Sequence, residues 1–406
     1  MIKRHDEQDE QKEAQLYRHP FALSLPFSSS FSLYLHVPFC LSKCGYCSFY
    51  SEPIDEIPFF FEASTDAWLE ALIQEAKNIA SHWRGRRPPL RTLYIGGGTP
   101  SLLSLPVWGR LIHLLDNTFD LSELEEATIE ANPCSLTEEH LSIWRDSFVT
   151  RVSLGIQSLQ NDELAWLGRQ HDEATALLAL DKTLAYGFDV SADLIFGIPH
   201  QTLRTWRDSL QRVLDSGVEH VSAYQLTLEP DTPLGKITPS LSDGYSFYRF
   251  AQWYLPRKGL EQYEIASFSR PSKECRHNLA YWRQENVLAL GPSAWGYLTK
   301  EGLRYRNAPT LKEYITSMTT QSSLSERLGE RSRGVEAAIL ALRTRWGIDV
   351  ASFAARFGHE LAEEVSAVLK EIPQRLVSFE KGHIHLTPAG MRVGNAIWIE
   401  LLELDF

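Results

Sequence analysis

The sequence predicts an α/β fold: a partial, open (β/α)6 barrel, then an aromatic-rich extension, then a small α+β C-terminal domain ordered like a winged helix. Three observations predict it. Short β-rich runs alternate with segments of helical period through the first 235 residues. Unusual polar residues gather at the ends of those runs. The rhythm changes at about residue 236, and a different one starts at about 325.

The β-rich runs are Ser32–Val37, Thr92–Ile95, Ala127–Glu130, Arg151–Gly155, Asp189–Phe196 and Val218–Leu226. The clearest helical stripe between them is Trp68, Leu69, Leu72, Ile73, Ala76, Ile79, Ala80 and Trp83, spaced i, i+3, i+4. Further helices are expected over Pro106–Leu115, Thr137–Asp146, Asn161–Ala185 and Thr202–Asp215. Such alternation implies parallel strands joined by right-handed crossovers. Six units are too few to close an eight-stranded barrel.

The strand ends carry the chemistry. A cysteine loop follows the first run and Gly96-Gly97-Gly98-Thr99-Pro100 the second. Glu130 closes the third, Gln157 follows the fourth, Asp193 sits late in the fifth, and Gln225 and Glu229 end the sixth. Ligands of parallel α/β folds bind at the carboxyl ends of strands. The domain reading is a polar leader over 1–30, the barrel over 31–235, the extension over 236–320 and the C-terminal domain over 325–406. The last reads helix (Gly334–Arg345), helix (Val350–Phe357), helix (Glu360–Glu371), strands Arg375–Phe379 and His383–Leu386, and helix Pro388–Leu402, capped by Thr387 with proline at its first position.

Composition bounds the function. The chain has 406 residues, 43% hydrophobic and 23% charged, with a formal net charge of -12. It reads as globular rather than disordered. The acidic balance argues against a nucleic-acid partner. No apolar run reaches the roughly 20 residues that span a bilayer. Met1–Gln15 is charged and lacks a signal-peptide core, so a cytoplasmic location is expected.

Three of the five cysteines fall in Cys40-Leu41-Ser42-Lys43-Cys44-Gly45-Tyr46-Cys47, a C-x3-C-x2-C pattern. Three thiolates on one short loop suit a 4Fe-4S cluster whose fourth iron has no protein ligand. The alternative is a three-cysteine zinc site that borrows a histidine such as His36.

With Tyr46 as the aromatic of C-x3-C-x-aromatic-C, the chain resembles the radical S-adenosylmethionine (SAM) superfamily, and within it the oxygen-independent coproporphyrinogen III oxidase-like family. The resemblance implies a 4Fe-4S cluster on Cys40, Cys44 and Cys47, with SAM on the open iron. Tyr34, Tyr46, Gly97, Gly98, Thr99, Glu130, Gln157, Arg169 and Asp193 match positions around SAM. Two branches differ. The dehydrogenase branch has a fourth cysteine where Phe49 stands. The haem-chaperone branch has phenylalanine there, and its HNxxYW motif is matched by His277-Asn278-Leu279-Ala280-Tyr281-Trp282, whose histidine is associated with haem. Trp295 stands where that branch usually has histidine.

The resemblance therefore implies a haem chaperone that delivers haem to acceptor apoproteins, with an electron donor for the cluster. A homodimer and peripheral membrane contact are compatible with it. The alternative is radical oxidative decarboxylation of the propionates of coproporphyrinogen III.

Overall fold

The computed structural model describes residues 30–56, 60–83, 85–237, 241, 243–316 and 324–405. The polar leader, Ser30 excepted, lies outside them. Strand β1 (Phe31–Val37) leads to a short pair, β2 (Phe39–Cys40) and β3 (Glu52–Pro53), which brackets the cysteine loop. Then follow β4 (Leu90–Gly97), β5 (Glu126–Ala131), β6 (Arg151–Gln157), β7 (Asp189–Phe196) and β8 (His220–Gln225). Each of the six β-rich runs forms a strand. β1, β4, β5, β6, β7 and β8 lie side by side in that order, all parallel.

The extension continues the same sheet at both edges. β9 (Glu261–Gln262) and β10 (Ser267–Ser269) extend it beyond β8. On the other side β11 (Val287–Leu290) pairs in parallel with β1, and β12 (Trp295–Leu298), β13 (Leu303–Arg306) and β14 (Leu324–Arg327) follow antiparallel. These strands were not legible because they are two to four residues long and their partners are remote in sequence.

The six parallel strands alternate with period two. One face presents Leu33, Leu35, Leu93, Ile95, Ile129, Val152, Leu154, Val190 and Val221, all buried. Helices cover that face, and four of them, Phe61–Ser81, Leu105–Thr118, Glu138–Arg145 and Leu203–Asp215, each bury one tryptophan: Trp68, Trp108, Trp144 and Trp206. The opposite face is polar. In register it presents Ser32, Tyr34 and His36, then Thr92 and Tyr94, then Glu126, Thr128 and Glu130, then Arg151 and Ser153, then Ser191 and Asp193, then His220 and Ser222. Parallel strands are usually apolar on both faces. A polar inner face marks this lumen as a site rather than a packed core.

One predicted helix is two. Asn161–Leu167 ends at Gly168, which takes φ 74° as a left-handed cap, and Glu173–Ala185 starts afresh on the Asp172 cap. Only glycine enters that conformation without penalty. The break lets Arg169 leave the helical path and turn to the cysteine loop. The terminal helix divides similarly, into Pro388–Met391 and Gly394–Leu402.

The C-terminal domain packs three helices (Glu330–Leu342, Val350–Phe357 and His359–Glu371) against β15 (Ile348–Asp349), β16 (Val377–Glu380) and β17 (His383–Leu386). It grips the helix Arg276–Trp282 by stacking Arg343 between Trp282, 4.3 Å away, and Trp398, 5.0 Å away.

Candidate cluster and cofactor site

The cysteine loop hangs over the carboxyl ends of the strands. Its base is fixed by Ile54 N–H to Cys40 O at 2.8 Å, and Cys47 N–H closes a turn on Cys44 O at 3.1 Å. Gln170 Nε2 donates to Ser42 Oγ at 2.8 Å and Leu234 N–H to Gly45 O at 2.9 Å. Tyr46 packs with Leu167, Ile195, Ile198 and Leu226, so the aromatic of the motif is the loop's apolar anchor.

All three thiols are half-buried and free. Burial pushes Cys40 up and Cys47 up to about 11; the Cys44 thiol adds to both shifts and Cys40 to that of Cys47. Burial of this kind disfavours the thiolate at Cys40 and Cys47, and a bound metal would favour it. Among the described residues no three His, Cys, Asp or Glu side chains converge as they would around one ion. His36, the zinc alternative's fourth ligand, is committed: Nδ1 lies 3.1 Å from Tyr34 Oη and Nε2 3.0 Å from Tyr50 O. Three spaced thiols fit the corners of a cluster, each on its own iron, better than closed tetrahedral zinc.

Two donors reach the sulfurs. Thr99 Oγ1 lies 3.6 Å from Cys40 Sγ, and Arg169 Nη1 lies 3.5 Å from Cys44 Sγ. Arg169 Nη2 donates to Gly155 O at 2.8 Å, while its Nε is buried without a partner among the described residues. Gln157 closes β6 at φ 66° and folds its amide over Gly155, where a Cβ would lie 3.0 Å from Nε2. Gly155 thus lies against two of the candidate residues, Gln157 and Arg169, and sequence reasoning passed over it. A glycine inside a strand was the available signal.

The glycine loop presses against the cysteine loop. Gly98 N–H donates to Val37 O at 2.7 Å and Thr99 N–H to Phe39 O at 2.6 Å. Gly97 takes φ 109°, and its N–H donates to Glu130 Oε2 at 3.0 Å. Tyr94 Oη donates to Glu130 Oε1 at 2.8 Å. Asp193 accepts from Ser153 Oγ at 2.9 Å. Tyr34 stacks on Tyr94 with centroids 6.2 Å apart. Tyr94 and Ser153, absent from the sequence reading, thus orient two of its carboxylates.

Burial pushes the Glu130 carboxyl up to about 7, helped by the charge of Asp193 and opposed by the Tyr94 and Gly97 bonds. The ordinary value is near 4.3. Between these limits the folded form binds the proton that the unfolded chain has released, so the contribution of Glu130 to stability is fully present below about 4.3 and is lost as pH rises to about 7. Glu130→Gln is expected to flatten that fall, read as urea midpoints across this range. An unchanged pH slope in the variant would take Glu130 out of the account.

His277 lies on the same lumen, beneath this layer, and away from the cysteine loop. It is only 1% exposed. Its Nδ1 lies 2.9 Å from Thr92 Oγ1, its ring packs 5.2 Å from Tyr94 and 5.3 Å from Tyr281, and its Nε2 has no partner among the described residues. Burial lowers its pKa to about 3. Glu126 caps its helix, accepting Arg276 N–H and His277 N–H at 3.0 Å each. Phe49, beside the third cysteine, is 70% exposed.

Residues 34–213 match the Radical SAM superfamily and 329–393 the HemN C-terminal domain. The chain is 32% identical over 384 residues to the heme chaperone HemW of Lactococcus lactis, covering 92% of this chain and 98% of the relative. It is 30% identical over 395 residues to HemW of Bacillus subtilis, covering 90% and 98%. The chain belongs to the HemW family. HemW of Escherichia coli is 33% identical over 66% of this chain and 70% of its own length. The fold is that of the E. coli coproporphyrinogen III oxidase HemN, with TM-score 0.80 at 21% identity over 98% of this chain and 93% of that one. The superfamily's cofactors are a 4Fe-4S cluster and SAM, which the loop of Cys40, Cys44 and Cys47 fits. No helix among the described residues is long and apolar enough to cross a membrane.

Proposed function

We propose that this chain binds haem and hands it to acceptor apoproteins, on a core that holds a 4Fe-4S cluster and SAM. The observation that carries the reading is the end-to-end likeness to relatives named heme chaperone HemW, at 98% of the Lactococcus lactis protein's length. Cys40, Cys44 and Cys47 hold the cluster. Tyr34, Tyr46, Gly97, Gly98, Thr99, Glu130, Gln157, Arg169 and Asp193 form the SAM pocket. Its carboxylates suit the cationic parts of that ligand, and its amide and guanidinium groups suit the anionic and hydroxyl parts. When bound, the cluster with SAM would supply one-electron chemistry, and the chain's own residues would position and shield it.

His277 is the candidate iron ligand. Burial keeps its ring neutral, the form that binds iron, and Nε2 is uncommitted. The ring is enclosed by Tyr34, Tyr94 and Tyr281, so ligation requires a local rearrangement that opens it.

The test is haem titration after anaerobic cluster reconstitution, with product analysis on the same sample. Wild type is expected to bind haem and release it to an apo-haemoprotein. His277→Ala is expected to bind about tenfold more weakly or worse and to lose the imidazole-ligated spectrum. Unchanged binding removes His277 from the proposal. Turnover of coproporphyrinogen III to protoporphyrinogen IX favours the decarboxylase instead.

A further inference from the structure

The extension brings a second polar cluster to the barrel mouth. Register places it. Ala289 of β11 pairs with Tyr34, Val287 lies opposite Tyr297, and Trp295 pairs with Arg306. Side chains alternate along each strand, so Trp295 and Arg306 share the inner face with Tyr34 and His36, at the end where the cysteine loop sits. The turn before Trp295 is pressed onto β1: a Cβ on Gly291 would lie 2.5 Å from His36 O. Glu75 holds it there, accepting Gly291 N–H at 2.9 Å and Asn307 Nδ2–H at 2.6 Å.

Within this rigid frame Arg306 is under-used. Its Nη2 donates to Ser293 Oγ at 2.8 Å. Its Nε is buried with no partner, and no carboxylate lies within ion-pair distance of it among the described residues. An arginine brings five donors in a fixed fork and cannot shed its charge. Ser293 is held at φ 61°, a strained conformation for a residue with a side chain and one that clusters at binding sites. Trp295 covers the guanidinium at 5.6 Å from its ring centroid yet remains 43% exposed, so a flat indole surface is open beside the charge.

We propose that Arg306, with Ser293 and Trp295, is a clamp for a ring-borne carboxylate: the guanidinium takes a propionate of the tetrapyrrole and the indole takes the edge of its macrocycle. This rests on the haem-handling reading and extends it to a named contact. Trp295 offers a stacking face where an imidazole would offer a nitrogen ligand. The Arg306 charge also adds to burial in lowering the His36 pKa to about 4. A carboxylate is also present on SAM, so the experiment separates the two sources.

Haem, haem dimethyl ester and SAM are each titrated into the reconstituted full chain and into Arg306→Gln, Arg306→Lys and Trp295→Ala. Arg306→Gln is expected to weaken haem binding about tenfold, to leave the ester unchanged, and to leave SAM unchanged. Arg306→Lys is expected to recover part of the loss, since it keeps the charge but not the fork. Trp295→Ala is expected to weaken haem and ester alike. An equal loss for haem and ester in Arg306→Gln would mean a structural role and overturns the clamp. A loss confined to SAM assigns the arginine to the methionyl carboxylate and overturns it too. Wild type that binds haem while the Arg306 variants match it sinks the clamp and spares the haem reading. Wild type that binds neither tetrapyrrole sinks both.

Discussion

Cys40→Ala is expected to abolish the cluster. After anaerobic reconstitution, iron should fall from about four per chain to background, with loss of the thiolate-to-iron absorbance. The fold should survive. Cys40 is half-buried, and its structural contributions are largely backbone: the β2–β3 pairing and the bond from Ile54 N–H. Replacing a half-buried thiol by a methyl group removes little packing, on the order of 1 kcal/mol or less. The melting curve and the iron content should therefore part company. SAM affinity should fall with the iron, because the ligand's amino and carboxylate groups have lost their anchor. Cys134→Ala is the exposed-cysteine control and should retain the cluster. Cys275→Ala should retain it as well, because that thiol is buried at the head of the helix Arg276–Trp282, donating to Glu126 Oε1 at 3.4 Å. A full complement of iron in Cys40→Ala would contradict the ligand assignment.

The parallel core was readable because each strand is long enough to show its period, and because the site residues stand at strand ends. The cysteine loop was readable from spacing alone. Other parts were hidden for physical reasons. Arg169 lies in what looked like one continuous helix, and only the left-handed Gly168 turns it toward Cys44. Gly155, Tyr94 and Ser153 act on other site residues rather than carrying a motif of their own. Arg306 reaches the site through strands β11 to β13, whose partners are set by the sheet's edge and not by any local pattern. His277 was found through its motif, but nothing in the sequence indicated that its ring would be enclosed beneath Tyr94.

These placements give the lumen a layered logic. The cluster loop and its donors lie at the strand ends, and Glu130 and Asp193 lie one layer below. Below them Thr92 and Ser32 join His277, and the capped helix Arg276–Trp282 supports that layer. The C-terminal domain holds this helix through Trp282 and through Gln284, which donates to Arg333 O at 3.2 Å and accepts from Arg356 Nη2 at 2.7 Å. An outward movement of this helix would therefore disturb its contacts with the C-terminal domain as well.

Gly98→Ala is expected to be among the most damaging single-methyl changes in the site. A Cβ there would lie 2.4 Å from Phe39 O and 2.8 Å from Val37 O. Both obstacles are backbone carbonyls of β1 and β2, so no rotamer change relieves the clash. The glycine loop must back away from the cysteine loop. That movement breaks the bonds from Gly98 N–H to Val37 O and from Thr99 N–H to Phe39 O, and withdraws the Thr99 hydroxyl from Cys40. Overpacking of this kind costs about 1–3 kcal/mol, and two broken backbone bonds place it at the upper end. The expected readouts are a lowered urea midpoint, poor iron incorporation and weakened SAM binding together. Gly109→Ala is the control. Gly109 is exposed on the helix Leu105–Thr118, and a Cβ there meets nothing within 4 Å, so alanine should stabilise by about 0.5–1 kcal/mol. If Gly98→Ala matched Gly109→Ala in stability and iron content, the two loops would not be packed as described, and the glycine run would be a turn with no part in holding the cluster.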